Sequence, residues 1–128
     1  MASGPAELNV FPQSGSQWFR IRDGRLKAYP MNNRYGDLAD AARLADGRLL
    51  LVTRKIGTTG IEQHLVVAEE KDGVLDLRPL VRLGLGRREN VEGLAVEERR
   101  GEGTRLWLIT DNDFRPRKAT LLVALDLP

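Results

Sequence analysis

Four segments of this chain occur twice in the same order, and that repetition narrows the fold more than any other feature. Arg22-Asp23-Gly24-Arg25-Leu26 returns as Lys71-Asp72-Gly73-Val74-Leu75. Asp37-Leu38-Ala39-Asp40-Ala41-Ala42 has a counterpart in Asn90-Val91-Glu92-Gly93-Leu94-Ala95. Leu49-Leu50-Leu51-Val52-Thr53 matches Leu106-Trp107-Leu108-Ile109-Thr110, and Leu65-Val66-Val67-Ala68-Glu69 matches Leu121-Leu122-Val123-Ala124-Leu125. The offset runs from 49 to 57 residues. A period of this size marks a chain made by stacking one supersecondary unit on the next, because a single unit leaves its apolar faces bare.

The unit is made of strands. Trp18 to Arg22 meets Asp23-Gly24 and continues as Arg25 to Tyr29; Ala41 to Ala45 meets Asp46-Gly47 and continues as Arg48 to Arg54. Gln63 to Glu70 meets Asp72-Gly73 and continues as Val74 to Leu77. Asp-Gly between β-type runs signals a hairpin, since glycine takes the positive φ that a tight type I′ turn requires. Val91 to Glu98, Arg105 to Thr110 and Ala119 to Leu127 add further strands. The one stretch of helical composition, Leu38 to Leu44, is cut off by Asp46-Gly47 within two turns, too short to hold alone. The expected fold is all-β: antiparallel four-stranded blades forming part of a β-propeller, about two blades plus part of a third. A small sandwich or barrel is the other arrangement such a strand pattern allows. Residues 1–16, rich in Gly, Pro and Ser, read as a flexible leader, and residues 17–128 as the repeated body.

Composition excludes several classes. Twenty Lys and Arg nearly balance 18 Asp and Glu, and the chain has only three Phe, two Tyr and two Trp. An aromatic-studded basic stripe of the kind that grips nucleic acid is absent from the sequence. Without Cys there is neither a disulfide framework nor a thiolate metal site. No apolar run is long enough to cross a bilayer as a helix, and Met1-Ala2-Ser3-Gly4-Pro5 lacks the basic start and apolar core of a signal peptide. The expected partners are therefore neither nucleic acid nor membrane. Two blades with uncovered outer faces predict self-association through those faces, or a longer parent chain.

The last third carries the most specific pattern. Glu89-Asn90-Val91-Glu92-Gly93-Leu94-Ala95 is followed by Leu106-Trp107-Leu108-Ile109-Thr110-Asp111-Asn112-Asp113-Phe114 and then Thr120-Leu121-Leu122. This resembles the end of the phytase-like propeller family, also called the "esterase-like activity of phytase" family. Tyr35-Gly36-Asp37-Leu38-Ala39-Asp40 and Gly47-Arg48-Leu49-Leu50-Leu51-Val52, leading to Arg54, look like its preceding blade. The resemblance covers about residues 17–127 and only the C-terminal part of a family domain. Val91 stands where the family has Phe, and Asn112-Asp113 inverts the usual order. It implies hydrolysis of a small phosphate or carboxylate ester, in a parent protein that is periplasmic or secreted.

Candidate site residues follow from where the strands begin and end. In a propeller the first strand of each blade lines the axis, so Asp37, Asp40, Asn90 and Glu92 are expected to converge. Asp37, Asn90 and Glu92 supply the carboxylate and amide oxygens that Ca²⁺ prefers. Glu92 and Asp111 are the expected catalytic groups; the alternative for Asp111 and its neighbours is turn chemistry, in which Asp and Asn accept from nearby backbone amides. Arg54, Asn112 and Lys118 are expected to hold the substrate, with Arg115 and Arg117 as further cations for phosphate oxygens or as solvated surface. The spacing fits no EF-hand. His64, the single histidine, reads as an ordinary strand position, and Arg87-Arg88 as surface. Serine occurs only at positions 3, 14 and 16, so no nucleophile elbow exists, and Gly84-Leu85-Gly86 reads as a loop.

Overall fold

The computed structural model describes residues 6–128. Ten strands follow one another: β1 (Glu7–Val10), β2 (Gln17–Arg22), β3 (Arg25–Asn32), β4 (Asp37–Arg43), β5 (Leu49–Gly57), β6 (Gly60–Lys71), β7 (Val74–Arg82), β8 (Asn90–Arg99), β9 (Gly103–Asp111) and β10 (Leu122–Asp126). The fold is all-β: 64% of the described residues are strand, and none of them is helical. Seven strands form one sheet in the order β1-β2-β3-β7-β6-β5-β4, which curls into a half-barrel, and β10-β9-β8 form a second sheet.

Turn chemistry sets the hairpins. Asp23 and Gly24 have φ of 50° and 71°, and Asp72 and Gly73 have 51° and 78°. Two successive left-handed residues give the type I′ geometry whose twist matches that of paired strands. At Asp46-Gly47 only Gly47 is left-handed, at φ 90°; Leu44 N–H donates to Arg48 O and the loop is longer.

The repeat holds at the level of register. Asp37 lies opposite Arg54 and Leu38 opposite Thr53, then a bulge brings Asp40 opposite Val52. Asn90 lies opposite Asp111 and Val91 opposite Thr110, then a bulge brings Gly93 opposite Ile109. Ala39 and Glu92 are thus equivalent bulged residues, and Thr53 and Thr110 are both buried. One sequence equivalence shifts: Val52 pairs Leu65 and Ile109 pairs Leu122, so Leu65 corresponds to Leu122 and not to Leu121. A one-residue slip exchanges the two faces of a strand, so this correction decides which side chains share a surface.

β4–β7 is covered on both sides. Leu44, Leu50, Val52, Leu65 and Val67 pack against Val91, Leu94, Leu106 and Leu108 of the second sheet. On the opposite face Leu38, Leu51, Val66, Ala68, Leu75 and Leu77 pack with Trp18 and Met31. The alternation along β6 (Leu65 and Val67 one way, Val66 and Ala68 the other) follows from the two-residue period of a strand. Polar bonds also cross to the second sheet. Gln63 is buried, its Nε2 donating to Val91 O at 3.1 Å and its Oε1 accepting from Val91 N–H at 2.8 Å. Asp40 Oδ2 accepts from Leu94 N–H at 2.7 Å.

Two expectations are corrected. The units are not purely antiparallel, because Met31 and Asn32 of β3 pair in parallel with Leu75 and Asp76 of β7, joining the N-terminal strands to the central sheet. Within residues 1–16, Glu7–Val10 is an edge strand on β2 in place of a loose leader; residues 1–5 lie outside the described residues. The alternation Leu8-Asn9-Val10 carries the strand signal, masked by the surrounding Pro, Ser and Gly.

Candidate functional site

Glu92, the bulged residue of β8, meets Arg54 of β5, and this local irregularity takes part in a polar cluster. Arg54 Nη1 donates to Asn90 Oδ1 at 2.8 Å and to Glu92 Oε1. Asn90 Nδ2 donates to Glu92 Oε1 at 2.7 Å and to Asp113 Oδ1 at 3.3 Å. Asp113 Oδ2 in turn accepts from Lys118 Nζ at 2.7 Å. A continuous chain of hydrogen bonds thus runs from Arg54 through Asn90 and Asp113 to Lys118, with Glu92 bridging Arg54 and Asn90. Asn90 is buried at the centre, and the two cations are the most enclosed of the charged members, with side chains only 10% and 11% exposed, so water screens them least. Lys118's hydrogen bond holds the Asp113 carboxyl below the usual carboxylate range, against the effect of desolvation; the bond from Asn90 adds to the lowering.

The expected residues separate into two groups. Arg54, Asn90, Glu92 and Lys118 come together. Asp37 lies directly across from Arg54 on the adjacent strand, exposed, and makes no hydrogen bond to the cluster. Asp111 and Asn112 serve the turn: Asp111 Oδ1 accepts from Asp113 N–H and Asn112 Oδ1 from Phe114 N–H, both at 3.0 Å. These bonds support the left-handed conformations of Asp113 and Phe114, at φ 52° and 56°. His64 follows Gln63 on β6 and so points to the opposite sheet face from Arg54, where its ring meets Tyr35 at 5.5 Å.

The oxygens expected to hold Ca²⁺ surround a guanidinium instead. Asn90 Oδ1 and Glu92 Oε1 both face Arg54 Nη1, so a metal at those atoms would meet a fixed positive charge. As arranged, the set does not fit a divalent cation. Among the described residues no group of three or more His, Cys, Asp or Glu side chains is placed to hold one.

Beside the cluster lies an open depression of about 340 Å³, lined by Arg88, Glu89, Arg115, Arg117, Lys118, Ala119 and Leu121. Four of its seven lining residues are cationic. Arg88, read from the sequence as plain surface, is a site member that spacing did not reveal. Its signal is position, two residues before Asn90, where the chain enters β8. Comparison with known proteins yields no matching family model, no matching curated protein and no matching solved structure.

Proposed function

We propose that the chain is a segment of a phytase-like β-propeller, with β4–β7 as one blade, β8–β10 as most of the next and β2–β3 as the outer pair of the preceding one. Its ligand is a small anionic ester, foremost a phosphate ester, bound in the depression between Arg88, Arg115, Arg117 and Lys118. The observation that carries this reading is the convergence of those four cations on one wall, tied through Lys118, Asp113 and Asn90 to Glu92. Arginine forks match phosphate oxygens in pairs, and a lysine already fixed by Asp113 loses little freedom on binding.

In the hydrolytic form of the reading, Glu92 orients a water and accepts its proton as the water oxygen adds to phosphorus. The ester P–O bond breaks and the alcohol departs with a proton from solvent. Arg54, donating to Glu92 Oε1, holds that carboxylate in place. The alternative is a non-catalytic anion-binding module, favoured by the pairing of Glu92 Oε1 and Asn90 Oδ1 with Arg54.

Calorimetric titration with inorganic phosphate, with p-nitrophenyl phosphate and p-nitrophenyl acetate hydrolysis assayed with and without Ca²⁺, tests both. Binding weakened at least tenfold in Arg115→Ala/Arg117→Ala supports the anion site. Turnover reduced about 100-fold in Glu92→Gln, with phosphate binding kept, supports hydrolysis. Binding without turnover leaves the module, and absence of both sinks the proposal.

A further inference from the structure

The outward face of β8–β10 is the repeat counterpart of a face that is covered elsewhere in the same chain. In the central sheet, Ala42, Leu50, Val52, Leu65 and Val67 lie under the second sheet. Their register equivalents are Ala95, Trp107, Ile109, Leu122 and Ala124. Val52 and Leu65 are fully buried, whereas Ile109 is 45% and Leu122 66% exposed. Ile109 covers Gly93 so closely that a Cβ there would lie 2.6 Å from its Cγ2, and the polar groups of this face, Arg105 and Glu97, gather at the Trp107 end, away from Ile109 and Leu122.

The other end of the molecule shows the opposite half of the pattern. The pairs Ile21–Leu26 and Phe19–Ala28 of β2–β3 correspond to Glu70–Leu75 and Ala68–Leu77 of β6–β7. Ala68, Leu75 and Leu77 are buried against Trp18 and Met31. Among the described residues their N-terminal counterparts have no sheet over them: Leu26 is 65% exposed, and Leu8 and Val10 of β1, opposite Ile21 and Phe19, extend the same apolar face. Each sheet therefore has a forward face and a backward face. Twice within the chain a forward face packs on the next sheet's backward face, and one of each is left over.

We propose that copies of this chain associate head to tail, the outward face of β8–β10 in one copy seating on the outward face of β1–β3 in the next. Contiguous apolar patches of this kind are not left open on monomeric proteins without a purpose. Because the two faces differ, the contact is heterologous and builds rings or filaments larger than a dimer. Polar stitching is poorer than inside the chain: Asp40 is replaced by Gly93 at the equivalent position, and Gln63 by Thr120. Association then rests on apolar burial and does not weaken as salt is raised. The inference is independent of the anion site, whose residues lie on neither outward face.

Sedimentation velocity of the whole chain across a concentration series, with Leu26→Lys and Ile109→Lys, tests it. The wild type is expected to grow beyond a dimer, while each variant stays monomeric at ten times the concentration. An equimolar mixture of the two, which retains one intact face on each partner, is expected to form a 1:1 dimer and nothing larger. A wild type that is monomeric throughout overturns the proposal, as does either variant dimerising alone, which would mean that like faces pair. If a lysine variant loses the far-ultraviolet strand spectrum, Leu26→Thr and Ile109→Thr replace the pair, since threonine keeps strand propensity.

Discussion

Arg54 is the residue on which the polar cluster turns. It sits within β5, and its two acceptors sit on β8 in the other sheet. Truncating it leaves Asn90 Oδ1 without its donor and Glu92 without its counter-ion. Arg54→Ala is therefore expected to lower stability by about 1–3 kcal/mol, the range for hydrogen bonds to charged groups. Half-exposure of Glu92 keeps the loss toward the lower end, and urea denaturation measures it. Asp113 gives a pH signature. Its carboxyl is held low chiefly by Lys118, so its stabilising effect is complete above the ordinary carboxylate value of about 4 and disappears as pH falls through the lower folded value. The difference in urea midpoint between wild type and Asp113→Asn should be constant from about pH 7 to 5 and shrink below about pH 4. An unchanged difference at low pH would show that the Lys118 bond contributes nothing. Composition suggested which residue types matter here, but not their pairing. Sequence reading assigned Asp37, Asn90 and Glu92 to a Ca²⁺ and Arg54 to an anion; that Asn90 and Glu92 instead pair with Arg54, without Asp37, was not legible because contacts between sheets depend on the β8 bulge.

Strands and turns were far more legible than side-chain networks, and the reason is locality. Asp23-Gly24 and Asp72-Gly73 determine their hairpins through their own φ values, so the neighbouring strands could be placed from a few residues. The β5–β6 hairpin escaped notice because Thr58-Thr59 carries no Asp-Gly or Asn-Gly signal, although Gly57 and Gly60 pair across it. Gly60 also has a long-range role. At φ 129° it is in a conformation that side chains rarely adopt, and a Cβ there would lie 2.7 Å from Arg87 O. Ile61 N–H donates to that same carbonyl at 2.8 Å, so the close approach anchors the segment leading to β8. Gly60→Ala is expected to cost about 1–3 kcal/mol, while Gly57→Ala, with ordinary φ and its nearest neighbour at 3.9 Å, should cost well under 1 kcal/mol. Thermal unfolding of the pair separates backbone strain from loss of a small residue.

Across the whole molecule, the repeat made the stacking of sheets foreseeable, but not the parallel joint between β3 and β7, which obeys no local pattern. The seam between the central and C-terminal sheets joins an apolar core to the double bond of Gln63 with Val91. Gln63→Ala strands both a buried N–H and a buried C=O, and is expected to destabilise by about 2–4 kcal/mol in chemical denaturation; a near-zero effect would mean that water takes over both partners. The N-terminal strands are attached to the central sheet more sparsely, by two residue pairs of β3 on β7, the packing of Trp18 and Met31, the Arg20–Glu70 ion pair and the Leu38 N–H bond to Gln13 O. Such an attachment is a tear line. Under tension or brief thermal opening, the backbone of residues 7–32 should peel away as one flap while the remaining strands stay closed. Amide deuteration would show it as early, collective labelling of that flap, well ahead of β5 and β6.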